Sequence, residues 1–172
     1  MDPLKFTDVQ VTAPPESGLL SAVGNTPLVP LRRITAHLPP SVQVCAKAEW
    51  FNPGGSIKDR PALNILRIAL ADGSLSPGKR LLDSTSGNMG IAYATFGALL
   101  GVPITLTLPA NASPERITIL RSLGAELILT DPAEGSDSAI RLARQMAAEH
   151  PEREGCGYGR HAAHPPQPVE CP

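Results

Sequence analysis

One lysine lies in a loop whose residue types suit nucleophilic chemistry. Lys58 follows the run Asn52-Pro-Gly-Gly-Ser-Ile, and the helical spacing that begins at this lysine places it in a first helical turn. The two glycines allow the backbone to approach a ligand closely. Because the N-terminal end of a helix carries partial positive charge, it disfavours an ammonium ion and favours the neutral amine that forms imines. A solvated surface lysine beside a Ser56-x-x-Asp59 capping box is the alternative interpretation.

A second loop, Asp83-Ser-Thr-Ser-Gly-Asn88-Met-Gly90, places three hydroxyls and an amide before another helical pattern. Unpaired N–H groups at the start of a helix attract anions, so this composition favours an anion-binding loop. The same residues would also serve as an ordinary helix N-cap with spare polar groups. Both interpretations stay open at the level of the residues alone.

The elements that must position these loops alternate between two periodicities. Short runs rich in β-branched and aliphatic residues predict strands, and longer segments with helical spacing predict helices. The predicted strands are 42–49, 80–83, 104–108 and 126–130, and the predicted helices are 58–71, 89–100, 113–123 and 136–150. This alternation predicts an α/β fold with a mainly parallel four-stranded sheet and helices on both faces. Both loops then follow strands and should share one edge of the sheet.

The two ends of the chain do not follow this rhythm. Residues 1–41 are rich in proline and turn residues, with only a weak strand candidate at 28–31, and predict an irregular lead-in. From 151 to 172 the composition changes to Gly, Arg, His, Pro and Cys, which predicts a disordered C-terminal tail. The regular part, 42–150, is the predicted α/β domain.

Composition restricts the class of partner. Fifteen basic and sixteen acidic residues in a chain of 172 argue against nucleic-acid binding and against a polybasic membrane patch. The apolar runs are too short for a bilayer span, and the first residues lack an apolar signal core, so we expect a cytoplasmic protein. Three cysteines are an odd number, which fits a reducing compartment, and the histidines lack the spacing of a metal site. Small molecules are the expected partners.

Several separated motifs occur together in an order that resembles one enzyme family. They are Gly24-Asn-Thr-Pro-Leu28, Ala48-Glu-Trp-Phe-Asn-Pro-Gly-Gly-Ser-Ile-Lys-Asp-Arg60, Thr85-Ser-Gly-Asn88, Pro114-Glu-Arg116 and Gly124-Ala-Glu126. Together they resemble the cysteine synthase and cystathionine β-synthase family of fold type II pyridoxal-phosphate (PLP) enzymes. The resemblance covers about 21–149 and implies the small domain of the tryptophan synthase β-like PLP fold.

The resemblance implies roles for residues of both loops. Lys58 matches the catalytic lysine that holds PLP as a Schiff base, and Asn88 matches the asparagine that contacts the cofactor's ring hydroxyl. The loop that closes on the substrate carboxylate corresponds to Thr85, Ser86, Gly87, Asn88 and Met89. The implied reaction is PLP-dependent β-replacement on an activated serine, in which sulfide or another thiol replaces the leaving group and cysteine is formed. A family-like homodimer is also implied.

Two departures from the family pattern affect these expectations. Met89 stands where many members have threonine, which leaves the amino-acid substrate open. The family's second half, with a glycine-rich loop for the cofactor phosphate, has no counterpart in this sequence. We therefore expect a truncated chain, with 1–41 belonging to a missing large domain, impaired activity and doubtful dimer formation. A non-catalytic remnant or interaction protein, and another family reaction such as cystathionine formation or threonine deamination, remain alternatives.

Overall fold

A computed structural model describes residues 18–151 and 154–156 of the chain. Six strands and four α-helices alternate along it. In chain order these are β1 (Leu28–Pro30), β2 (Cys45–Lys47), α1 (Asp59–Ala71), β3 (Arg80–Ser84), α2 (Asn88–Leu100), β4 (Ile104–Pro109), α3 (Pro114–Ser122), β5 (Glu126–Thr130), α4 (Gly135–Glu149) and β6 (Glu154–Cys156). Short 3-10 helices occur at Leu19–Ala22, Glu49–Phe51 and Pro132–Glu134.

Four of the strands form a parallel sheet in the order β5-β4-β3-β6. Helices α1, α2 and α3 contribute side chains to the core on one face of this sheet, and α4 packs on the other face. The buried Thr107 of β4 donates its hydroxyl proton to the Ala139 carbonyl of α4 at 2.9 Å, which ties the second face together. The predicted fold class, a mainly parallel four-stranded sheet with helices on both faces, is confirmed.

The membership of this sheet differs from the prediction in one strand. The predicted strand at 42–49 is shorter, and its core, β2, pairs antiparallel with β1 in a separate two-stranded sheet. Val42 and Val44 are 48% and 38% exposed, so the apolar alternation that suggested a core strand is not buried. The weak strand candidate at 28–31 is confirmed as the partner.

The fourth strand of the sheet comes instead from the segment that was predicted to lack structure. The backbone of β6 pairs with Arg80 and Leu81 of β3, which makes β6 an outer strand of the main sheet. The prediction of a disordered tail is therefore wrong for residues 154–156. Backbone hydrogen bonds form this pairing, and they carry no side-chain period that sequence analysis could detect. The remaining tail prediction falls on 152–153 and 157–172, outside the described residues.

The four helices begin and end within about one residue of the predicted positions. The Ser113 hydroxyl caps α3 by accepting the Arg116 N–H at 3.5 Å, and Gly101 ends α2 in the left-handed conformation with φ 68°. A methyl group at Gly97 would overlap the side chain of Ile104, so this glycine allows α2 to lie directly against β4. No helix in the described part of the chain is long and apolar enough to cross a membrane.

Candidate functional site

The chain order brings the starts of two helices to one edge of the sheet. Helix α1 leads through the short connection 72–79 into β3, and α2 leaves β3 through the loop 85–87. The two helices pack against each other. Helix α2 leaves the carboxyl end of β3, whereas α1 ends near the start of β3 and packs along α2. This path favours a position for the start of α1, and with it Lys58, toward the same edge of the sheet as the Thr85–Asn88 loop.

Lys58 is the N-cap residue of α1, and its side chain is exposed. The Ser56-x-x-Asp59 capping box of the alternative interpretation is not formed. The Ser56 hydroxyl accepts the N–H of Lys58 at 3.2 Å, and the Asp59 carboxylate turns back to accept the N–H of Gly54.

Asp59 is a fully buried carboxyl group beside the lysine. Its Oδ2 accepts the Gly54 N–H, whereas its Oδ1 is buried without a hydrogen-bond partner in the described structure. Burial raises the pKa of Asp59 above its ordinary value, against the opposing effect of the Gly54 hydrogen bond. A methyl group at Gly54 would overlap this carboxyl group. The first glycine of the loop is therefore required because the carboxyl group lies directly against the backbone.

An ion pair at the other side of the lysine connects three segments of the chain. Arg60 donates from Nε and Nη2 to the two carboxylate oxygens of Glu49, both at 2.9 Å. The Thr26 hydroxyl donates to Glu49 Oε1 at 2.8 Å and accepts from Arg60 Nη2 at 3.2 Å. Asn52 donates to Glu49 at 2.8 Å and accepts the Gly24 N–H at 2.9 Å. The hydrogen bonds from Arg60 lower the pKa of Glu49 to about 2, so the carboxylate is charged at neutral pH.

The second loop leaves the start of α2 without a side-chain cap. Gly87 is the N-cap residue and no side chain accepts a hydrogen bond from the first turn. The Thr85 hydroxyl accepts the N–H of Gly87 at 3.3 Å, and Asn88 is exposed as the first residue of the helix. Met89 is half-buried against the core. The interpretation of this loop as an ordinary N-cap is therefore wrong. The Gly90 N–H donates to the Gly87 carbonyl at 3.1 Å, and the N–H groups of Asn88 and Met89 are left for water or a ligand.

Neighbouring elements hold this loop in place. A methyl group at Gly90 would lie 3.1 Å from side-chain atoms of Leu106 and Thr85, so the helix start is seated tightly on β4 and on the loop. The Arg116 guanidinium of α3 lies 3.5 Å from the Ser86 carbonyl oxygen. This arrangement places a cation beside the uncapped helix start.

A buried carboxyl group lies immediately before the second loop. Asp83, the fourth residue of β3, is 3% exposed, and its Oδ1 accepts the Ser84 N–H at 2.7 Å. Burial raises its pKa to about 6, although the hydrogen bond from Ser84 acts in the opposite direction. Sequence analysis assigned no role to Asp83, because a lone aspartate at the end of a strand pattern is typical of an exposed turn residue.

The sequence pattern also suggested no separate role for Glu49, Asn52 and Arg60, and only a capping role for Asp59. All four lie in the motif 48–60, in which only Lys58 was predicted to be a reactive group. The only available signal was that the motifs 24–28 and 48–60 occur together, which is consistent with the contacts that the structure shows between them.

The chain is similar to known proteins in both sequence and fold. A profile of the family described as "Pyridoxal-phosphate dependent enzyme" matches residues 19–168. Cysteine synthase of Aquifex aeolicus is 50% identical over 105 residues, which are 60% of this chain and 32% of that protein. The crystal structure of cysteine synthase from Entamoeba histolytica superposes with a TM-score of 0.76 at 36% identity, covering 88% of this chain and 45% of that one.

The O-acetylserine dependent cystathionine β-synthase from Helicobacter pylori superposes with a TM-score of 0.71 at 29% identity, over 79% of this chain and 44% of that one. The chain thus spans less than half of the length of each of these relatives. The family profile extends to residue 168, beyond the resemblance that sequence analysis placed at about 21–149. The chain belongs to the family of pyridoxal-phosphate dependent enzymes.

Proposed function

We propose that this chain contributes the lysine side of a PLP site that catalyses β-replacement on an activated serine, with sulfide as the incoming nucleophile and cysteine as the product. The observation that carries the proposal is the uncapped start of α2, a helix that packs along the one beginning beside the exposed Lys58. An amine and an anion-binding helix start suit an aldehyde cofactor and the carboxylate of an amino acid. The similarity to cysteine synthases supports the same reaction.

The residues present fit the cofactor. The Lys58 side chain is exposed at the N-cap of α1, so its amine is accessible to an aldehyde carbon. Asn88, also exposed, presents an amide that can donate a hydrogen bond to a ring hydroxyl. When bound, PLP supplies the electron withdrawal that allows a leaving group to depart from the β-carbon of the substrate.

The chain's own residues then orient the substrate and move one proton. The first-turn N–H groups of α2, with the hydroxyls of Thr85 and Ser86, bind the α-carboxylate, and Gly87 lets the backbone approach it. Met89 contributes its amide N–H but no hydroxyl at this position. With the cofactor bound, Lys58 Nζ would serve as the base that takes the proton from the substrate α-carbon.

Reductive labelling tests the proposal directly on the 172-residue chain. The protein is incubated with PLP and borohydride, and the labelled peptides are identified by mass spectrometry. We expect Lys58 to label faster than Lys79, which lies in the connection at the opposite edge of the sheet, and a Lys58→Ala variant to lose that label. Lys79→Ala is the matched control. Equal labelling of both lysines in the wild-type chain would refute a PLP site at Lys58.

We further propose that the 172-residue polypeptide alone catalyses the reaction weakly. The dianionic phosphate of PLP needs a ring of backbone N–H donors, and the glycine-rich loop that supplies it in the family has no counterpart in this sequence. A cofactor held through its aldehyde alone is not fixed in orientation. The relatives are two to three times longer, which is consistent with this division of the site.

Cystathionine formation is the second candidate. The similarity to the Helicobacter pylori enzyme favours it, and the missing hydroxyl at Met89 removes one contact that would constrain the substrate. In both reactions the leaving group departs from the β-carbon and a sulfur nucleophile adds there, so the nucleophile alone separates them. Incubation with O-acetylserine and either sulfide or homocysteine, followed by product analysis, distinguishes cysteine from cystathionine.

A further inference from the structure

The loop that carries Lys58 is fastened by the two residues that follow the lysine. Asp59 reaches back to the Gly54 N–H, and Arg60 reaches back to Glu49, which in turn accepts a hydrogen bond from Asn52 at 2.8 Å. Arg60 therefore holds the beginning of the loop at Glu49, and Asp59 holds its glycines at Gly54. Asp59 and Arg60 both lie in the first turn of α1, directly after Lys58.

Glu49 also joins this loop to a segment distant in sequence. The Thr26 hydroxyl bridges both members of the ion pair, and the Gly24 N–H donates to Asn52 Oδ1 at 2.9 Å. Thr26 is 4% exposed and Asn52 is 3% exposed, so these polar groups are out of bulk solvent and depend on one another for hydrogen bonds. The cluster is a closed network and does not consist of a single surface pair.

We infer that the Glu49–Arg60 ion pair, together with Thr26 and Asn52, is a positioning device that holds the Lys58 loop in the conformation in which the lysine reacts. The inference rests on the proposed function, since it concerns how Lys58 reaches an aldehyde. The proposed cofactor site includes no contact with these four residues. They therefore act through the loop and are positioning residues.

The composition of the loop explains why such a device is needed. It contains two successive glycines, of which Gly55 has φ 78°. Because a glycine backbone can adopt many conformations, ordering this loop costs conformational entropy. The bidentate pair has side chains only 31% and 16% exposed, so solvent screens it less than a surface pair. The Glu134–Arg141 pair is also a glutamate–arginine pair, with side chains 49% and 65% exposed. It joins the N-cap residue of α4 to that helix, away from the Lys58 loop, and serves as the control.

The experiment measures the labelling rate of Lys58 in the full 172-residue chain with PLP and borohydride. In each labelling event the lysine nitrogen adds to the aldehyde carbon and water leaves. Borohydride then delivers hydride to that carbon, and a proton from water completes the secondary amine. The variants are Glu49→Gln, Arg60→Met, Arg60→Lys and Arg141→Met. Hydrogen exchange of the amides of residues 54–58 reports loop order without the cofactor, and urea unfolding reports stability.

Glu49→Gln and Arg60→Met are expected to slow Lys58 labelling on the order of ten- to a hundredfold and to speed exchange in the loop. Arg60→Lys keeps the charge without the planar fork and should fall between them and the wild type. Lys79 labelling in the same samples, and Lys58 labelling in Arg141→Met, should not change. Thr26→Val, which keeps the shape of the side chain and the ion pair, provides a milder perturbation if the stronger variants fail to fold.

Two results would overturn the inference and are distinguishable from each other. If wild-type Lys58 labels selectively and the Glu49, Arg60 and Thr26 variants label it at the same rate, the ion pair does not position the lysine and the proposed function still stands. The same conclusion holds if labelling falls only in proportion to the unfolded fraction. If Lys58 labels no faster than Lys79 in the wild type, the proposed function fails and the inference fails with it.

Discussion

Replacing Asp83 by asparagine should make the stability of the chain less sensitive to pH. Asp83 is 3% exposed, and burial raises its pKa from 3.8 to about 6. The folded state therefore binds this proton more tightly than the unfolded state does. Stability is highest when the group is protonated in both states and falls as pH rises through the interval from about 3.8 to about 6.

The magnitude follows from the difference between the two pKa values. The shift from 3.8 to about 6 corresponds to about 3 kcal/mol of lost free energy of unfolding once Asp83 is ionised in both states, at ~1.4 kcal/mol per pH unit. Since part of that loss has already occurred at pH 4, the difference between pH 4 and pH 7.5 is about 2 kcal/mol. The asparagine variant retains an oxygen that can accept the Ser84 N–H and does not ionise, so it should lack this component.

Urea unfolding of the wild type and of Asp83→Asn at pH 4 and pH 7.5 measures the effect. The informative quantity is the change in the difference between the two proteins, because asparagine introduces an amide whose own hydrogen bonding shifts stability at every pH. We expect the variant to gain about 2 kcal/mol on the wild type between the two pH values. Asp137→Asn, at an exposed position in the first turn of α4, is the control. A constant difference between wild type and Asp83→Asn would show that Asp83 titrates normally and refute the argument.

Glu49, Gly97 and the chain as a whole provide three further tests. The pKa of Glu49 is lowered from 4.5 to about 2, so its stabilising effect is present above pH 4.5 and is lost as pH falls toward 2. After allowance for solvent screening, Glu49→Gln should remove about 1–2 kcal/mol of the acid-induced loss in the free energy of unfolding, as measured by urea unfolding. Equal acid sensitivity in both proteins would contradict this. Gly97→Ala should lower the free energy of unfolding by about 1–3 kcal/mol, because the added methyl group overlaps Ile104, and an unchanged urea midpoint would show that α2 can move away. The purified 172-residue chain should convert O-acetylserine and sulfide to cysteine slowly even with excess PLP, and robust Lys58-dependent turnover would refute the proposed division of the site.

The helices and three strands of the sheet could be predicted because local chemistry determines them. Ser113 and Gly101 mark helix ends through their own backbone and side-chain preferences, and the short aliphatic runs in β3 and β4 are typical of buried strands. Pairing partners are a different matter. Both β2 and β6 are three residues long, and their partners are chosen by backbone hydrogen bonds and by the path of the chain, which residue types do not encode.

In the candidate site, residues whose type suggests chemistry were predictable, and residues whose properties depend on burial were not. Lys58 and the Thr85–Asn88 loop were predictable because an amine and a hydroxyl-rich helix start suggest chemistry by themselves, although their roles remain a proposal. Asp59 and Asp83 were not predictable, since a buried carboxyl group and an exposed one are the same letter in a sequence. Their burial is set by the surrounding helices and strands, and it raises both pKa values.

The position of β2 outside the main sheet explains why the two loops of the site are held by different means. The second loop follows β3, whose parallel pairing with β4 fixes where α2 begins. The Lys58 loop follows a strand that belongs to a separate two-stranded sheet, so the main sheet does not fix the path of its backbone. Side-chain contacts must do this instead, and Glu49 with Arg60 provides them through hydrogen bonds to three chain segments. The proposed role of the Glu49–Arg60 pair agrees with this path of the chain, because no strand of the main sheet precedes the Lys58 loop.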